Sequence, residues 1–127
     1  MIFALSNIAI LGSIVWSHHM FTIGIESDSH AYFMCITMII TIPTSTKIFN
    51  WLCTYLNYLY YYYIRTSIFL SIHIFLLMFT LGGTTGIIIS NVIVDLSLHD
   101  TYYILSHFHY ILSLGTIIII LLGLSYY

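Results

Sequence analysis

Two pairs of histidines carry the chemistry that this sequence can do. In Trp16-Ser17-His18-His19-Met20-Phe21 the imidazoles are adjacent, and neighbouring side chains on a regular helix diverge by about 100°. Both can reach one ion only where a helix ends or is distorted, and neutral imidazole is a natural ligand for copper or zinc. The same pair also reads as polar side chains at a membrane interface, and the dipeptide alone leaves both readings open. His107-Phe108-His109 poses the opposite geometry. Two positions along a helix amount to a rotation of about 200°, so these imidazoles leave opposite faces and cannot share an ion. They can hold two different cofactors, one on each side, as an axial histidine holds a haem iron. Alternatively, each hydrogen-bonds a neighbouring helix.

Other polar residues in an apolar chain are functional candidates because their burial in lipid is costly. Asp95, His99 and Asp100 precede the last apolar run. Asp100 there suits a helix N-cap, and the group also suits a hard-cation site completed by oxygen ligands from elsewhere. Lys47 lies one turn after Thr44 on the same helical face. It reads either as a lysine snorkelling to the interface or as part of a hydroxyl-lined proton path. His73 reads as a packed, hydrogen-bonded residue with no chemical role. Cys35 and Cys53 are eighteen positions apart in one apolar run, about 27 Å on a helix. A disulfide tolerates at most about 7 Å between Cα atoms, so they are expected as unpaired, buried packing residues.

The elements that must position these groups follow from the apolar pattern. Of 127 residues, 61% are hydrophobic and 5% are charged, which makes lipid the natural solvent. Continuous, non-alternating apolar runs predict four transmembrane helices at about residues 2–17, 31–56, 66–92 and 102–124. The polar stretches at residues 26–30 and 95–101 are read as breaks between them. Pro43 removes a backbone bond from the second helix, and a nearby threonine hydroxyl can satisfy the freed carbonyl. Gly82, Gly83 and Gly86 offer a flat patch for close helix approach. The tyrosines of residues 60–63 read as an interfacial belt, and Arg65 places their loop on the matrix or cytoplasmic side. The net charge of −2 gives no basic patch and argues against a nucleic-acid partner. Neither a signal peptide nor an Arg-rich transit peptide is read at the start. A chain working in an organelle is then one made there, or one that has lost a presequence.

Taken in order, the motifs resemble subunit one of the haem–copper oxidases, of the cytochrome c oxidase type. The matching strings run from Val15-Trp16-Ser17-His18-His19-Met20-Phe21-Thr22 through Ile42-Pro43-Thr44, Lys47-Ile48-Phe49, Gly82-Gly83 and Thr85-Gly86. The most specific is Leu98-His99-Asp100-Thr101-Tyr102-Tyr103 with His107-Phe108-His109-Tyr110. The resemblance covers nearly the whole chain and corresponds to helices seven to ten of a twelve-helix core, which implies an all-α membrane protein. It implies that His18 and His19 are two of the copper B ligands. His107 would bind the haem a3 iron and His109 the haem a iron, with Asp95 near a haem propionate. His99 and Asp100 would bind magnesium, and Lys47 with Thr44 would line the lysine-containing proton channel. These matches outweigh the cap reading of Asp100 and the snorkelling reading of Lys47.

The family's function implies dioxygen reduction with electrons from cytochrome c, coupled to proton pumping. Partners would be oxidase subunits two and three, in the mitochondrial inner membrane as an organelle-encoded, multi-pass protein. Rival readings are a quinol oxidase with the same core and a non-catalytic haem-binding bundle. His18-His19-Met20 leans towards the cytochrome c type. Departures are His30 where the family usually has arginine, Ser45 where it usually has glycine, and a loop after Cys53 without the usual His-Gly-Gly segment. The family's remaining copper and haem ligands have no counterpart in these 127 residues. The expectation is therefore a split subunit, whose other chains complete the sites.

Overall fold

The computed structural model describes residues 1–59 and 67–126, and among these it consists of helices and short connections with no strand. The tyrosine belt and Arg65 fall outside the described residues. Four stretches are long and apolar enough to cross a membrane: Ile2–Ile23, Ser27–Asn57, Ser67–Ile89 and Tyr102–Tyr126.

The first stretch joins helix α1 (Ile2–Ser13) to a 3-10 segment, Trp16–Ile23. Helix α2 (Ser27–Ile39) follows, and begins inside the stretch expected to be a break. Ser27 and Asp28 form its first turn, where the helix dipole favours an acidic side chain. Helix α3 (Thr41–Leu59) continues α2 after an interruption at Ile40. Pro43 has no N–H to offer the carbonyl four residues back. The Thr41 and Thr44 hydroxyls donate to the flanking Met38 and Ile40 carbonyls, at 2.6 and 3.0 Å.

Helix α4 (Ser67–Ile89) stops short of residue 92, where the apolar pattern suggested it would end. Val92 instead opens a separate seven-residue helix, α5 (Val92–Leu98), which extends into the run taken for a turn. Asn91 explains the difference: its side-chain oxygen accepts the Ile93 amide at 3.1 Å, the N-cap arrangement that starts a helix. The last stretch is α6 (Tyr102–His109), a π-helical segment Tyr110–Thr116, and α7 (Ile117–Tyr126). Within the π segment the Thr116 hydroxyl donates to the Ile111 carbonyl, five residues back, at 3.3 Å.

Helix α4 is the hub, packing against α6, the π segment and α7 on one side and contacting α3 and α5 elsewhere. Small residues allow that approach. A Cβ on Gly82 would stand 2.8 Å from Ile111 Cγ1, and one on Gly86 would stand 2.7 Å from His107 Cε1. Gly83 faces open space, so two of the three glycines form the contact patch. Trp51 of α3 packs edge-on to Phe79 of α4, with ring centroids 5.6 Å apart. Cys35 and Cys53 are unpaired, as their separation requires, but both are exposed rather than buried.

Candidate functional site

His18 and His19 sit in the 3-10 segment, whose backbone departs from helical geometry at Met20. Their rings lie 4.1 Å apart between centroids, tilted by 52°. The Nδ1 atom of His18 is buried with no hydrogen-bond partner. A buried imidazole nitrogen without a partner is costly, and a metal ion would satisfy it.

His107 and His109 leave different sides of α6. The Gly82 carbonyl lies 2.9 Å from His107 Nδ1. A carbonyl only accepts, so Nδ1 carries the proton and Nε2 keeps its lone pair. The Thr85 hydroxyl donates to the same carbonyl at 2.7 Å, and its oxygen lies 3.1 Å from Nδ1. Gly86 leaves the space that the ring occupies. His109 is fixed in the same way by its own helix: Nδ1 donates to the Leu105 carbonyl at 2.7 Å. Its ring stacks on Phe108, with centroids 4.5 Å apart. Both rings therefore offer Nε2, in different directions, to whatever they bind.

At the start of the last span, His99 lies between two carboxylates. Its Nδ1 is 3.8 Å from Asp95 Oδ2, and its Nε2 is 3.4 Å from Asp100 Oδ2. Asp95 is 5% exposed. Burial pushes its carboxyl above the ordinary carboxylate range, against the opposing pull of His99. The N-cap of α6 is Thr101 rather than Asp100. Asp100 instead adopts a left-handed backbone, with φ of 58°, and this turns its carboxylate outward to 89% exposure.

A cavity of about 830 Å³ gathers most of these groups. His18 and His19, Thr44, His107, and the Asp95, His99 and Asp100 cluster all line it. Lys47 and His109 stand outside. The Lys47 ammonium lies 5.0 Å over the Trp51 ring, a cation–π contact, so Thr44 reaches the cavity while Lys47 turns to its own helix. Among the described residues no three histidine, cysteine or acidic side chains converge on one point. Among the described residues the chain thus offers its imidazole donors in pairs.

Three features here are not read from the residue types. The Gly82 carbonyl and the Thr85 hydroxyl orient His107, and the Gly-Gly-x-Thr-Gly spacing was the available signal. His73 is hydrogen-bonded as expected, to the Tyr55 hydroxyl at 2.5 Å and the Phe69 carbonyl at 3.1 Å, but its place on the exposed surface rather than inside was not read. His30 bonds the Phe21 carbonyl at 3.1 Å, which nothing in the sequence announces.

The sequence model of the family described as cytochrome c and quinol oxidase polypeptide I matches residues 1–127. Among curated relatives described as cytochrome c oxidase subunit 1, that of Plasmodium falciparum is 52% identical over 93% of this chain. That of Plasmodium chabaudi is 49% identical over 100% of it, and that of Candida albicans 45% over 100%. The chain spans 24%, 26% and 23% of their respective lengths.

Proposed function

The chain belongs to the cytochrome c and quinol oxidase polypeptide I family, and from that premise we propose that it is a quarter-length part of an oxidase catalytic subunit that reduces dioxygen to water. The observation that carries this reading is the cavity that brings His18, His19 and His107 to one space. The names of the relatives favour cytochrome c over quinol as the electron donor.

The donor set fits the cofactors. His18 and His19 would hold copper B, where the unpartnered Nδ1 of His18 calls for a ligand. His107 would hold haem a3 and His109 haem a, each through the Nε2 that its carbonyl bond leaves free. Asp95 would face a haem propionate, and the Asp95 carboxyl, held neutral more readily by burial, tolerates an acidic neighbour. His99 and Asp100 would contribute to a magnesium site. When bound, the haems and copper supply the redox chemistry of dioxygen reduction. The chain's own part is to fix imidazole tautomers, hold the ligands on rigid helices and admit protons. Thr44 at the cavity wall and Lys47 one turn away would pass protons inward, with Lys47 leaving its place over Trp51 to do so.

The remaining ligands would come from sequence outside these 127 residues, on our reading from separately made partner chains. The complex would lie in the mitochondrial inner membrane with oxidase subunits two and three and couple the reaction to proton pumping. The test is substitution in the intact complex. His107→Ala is expected to abolish the haem a3 absorption and leave that of haem a, and His109→Ala to do the reverse. An unchanged haem a3 spectrum in His107→Ala rejects the assignment.

A further inference from the structure

The segment bearing His18 and His19 does little to hold its own shape. It consists of two short 3-10 turns that meet at a kink at Met20, with no side-chain cap. Such turns hold themselves weakly, because their hydrogen bonds are poorer than those of an α-helix. Contacts from outside must therefore fix the segment, and α2 supplies them at both ends. At the first, Trp16 meets Phe33 edge-on, with ring centroids 5.6 Å apart. At the second, His30 Nε2 lies 3.1 Å from the Phe21 carbonyl, and its ring stands edge-on to the Phe21 ring at 5.5 Å. The carbonyl only accepts, so Nε2–H is the donor. Phe21 is 1% exposed and, among the described residues, the one large side chain that is fully buried.

We propose that His30 is a positioning residue for the pair His18 and His19. By donating to the Phe21 carbonyl it pins the far end of the 3-10 segment to α2, and so fixes the directions in which the two imidazoles point. The proposal rests on the copper reading of that pair. It requires an N–H donor at position 30 rather than a histidine as such. An arginine, which carries five N–H donors, would meet the same requirement.

The intact complex provides the test, with His30→Leu removing the donor and His30→Arg and His30→Gln retaining one. The readout is the infrared stretch of carbon monoxide transferred by photolysis to the copper, before and after challenge with a chelator. Low-spin haem absorbance reports that each variant has folded. His30→Leu is expected to shift or broaden the stretch and to lose copper about 10-fold more readily or worse, the usual range for groups that orient metal ligands. His30→Arg and His30→Gln are expected to keep the wild-type stretch. A wild-type stretch and wild-type copper retention in His30→Leu would overturn the proposal. If His30→Leu fails to assemble, the other two variants decide: a wild-type stretch in both supports it, and copper loss in both overturns it. Copper retained at the wild-type level in both His18→Ala and His19→Ala rejects the copper reading, and the proposal with it.

Discussion

Two glycines of α4 differ in what they do for His107 of α6: Gly86 makes room for its ring and Gly83 does not touch it. A Cβ at Gly86 would come within 2.7 Å of His107 Cε1 and within 3.5 Å of both ring nitrogens. The imidazole would have to leave its place, and overpacking of this kind costs roughly 1–3 kcal/mol. Gly86→Ala is therefore expected to lower the thermal midpoint of the complex and to shift the haem a3 absorption. Gly83→Ala meets no protein atom within 4 Å and is expected not to lower the thermal midpoint, gaining up to about 1 kcal/mol of helix propensity. Equal effects from the two would remove Gly86 from the ligand seat. Asp100 separates backbone from carboxylate in the same way. Its φ of 58° costs an ordinary L-residue about 1–2 kcal/mol and glycine nothing. Asp100→Ala is expected to be less stable than Asp100→Gly, while both lose the magnesium site, read by electron paramagnetic resonance of bound manganese. Retained manganese in either variant would exclude the carboxylate as a ligand. At this scale the side-chain types were legible: histidines two apart must diverge, and adjacent ones can turn to one ion only where a helix ends or is distorted. Their partners were not, because the Gly82 and Phe21 carbonyls carry no side-chain signature and depend on how helices meet.

The elements were legible where apolar length decides and obscure where polar residues have two uses. Four runs of membrane-crossing length are visible in composition alone. Ser27 and Asp28 looked like a break, yet they start α2, because short polar side chains serve helix starts as well as loops. Asn91 hid the start of α5 in the same way. The π segment at residues 110–116 leaves no mark on hydropathy, since a register change alters no residue type. The turn after the 3-10 segment is the place to test how firmly that element is held. Gly24 has φ of 84°, and a Cβ there would meet nothing within 4 Å, so only backbone strain is at stake. Gly24→Ala is expected to cost about 1–2 kcal/mol and Gly24→Asn less, since asparagine tolerates the left-handed region. The thermal midpoint of the complex, followed through the haem bands, measures it. Equal losses in both variants would mean that the turn does not depend on its backbone angle.

For the whole molecule, the deciding fact is how little apolar surface it buries. Among the described residues only Ala4, Val15 and Phe21 form a buried hydrophobic core, while Ile2 and Phe3 of the first span are 79% and 86% exposed. Such a surface is tolerable in lipid, where apolar side chains gain nothing by leaving the hydrocarbon, and helix association instead needs close packing and polar contacts. The same argument applies to the cavity, where His18 and His19 bring two imidazoles and no third donor from the described residues joins them. A copper ion held by two histidines has open positions that solvent or other groups would fill, so its affinity and geometry are not those of a completed centre. The 127-residue chain in a lipid nanodisc, supplied with haem and copper, is therefore expected to consume no dioxygen, whereas the intact complex is expected to do so with reduced cytochrome c. Mass spectrometry of that complex is expected to find sequence outside the 127 residues that carries further histidine ligands, on a separate chain if the subunit is split. Dioxygen consumption by the chain alone, abolished by His107→Ala, would show that these four spans build a full site without help and would end the reading of half-complete centres.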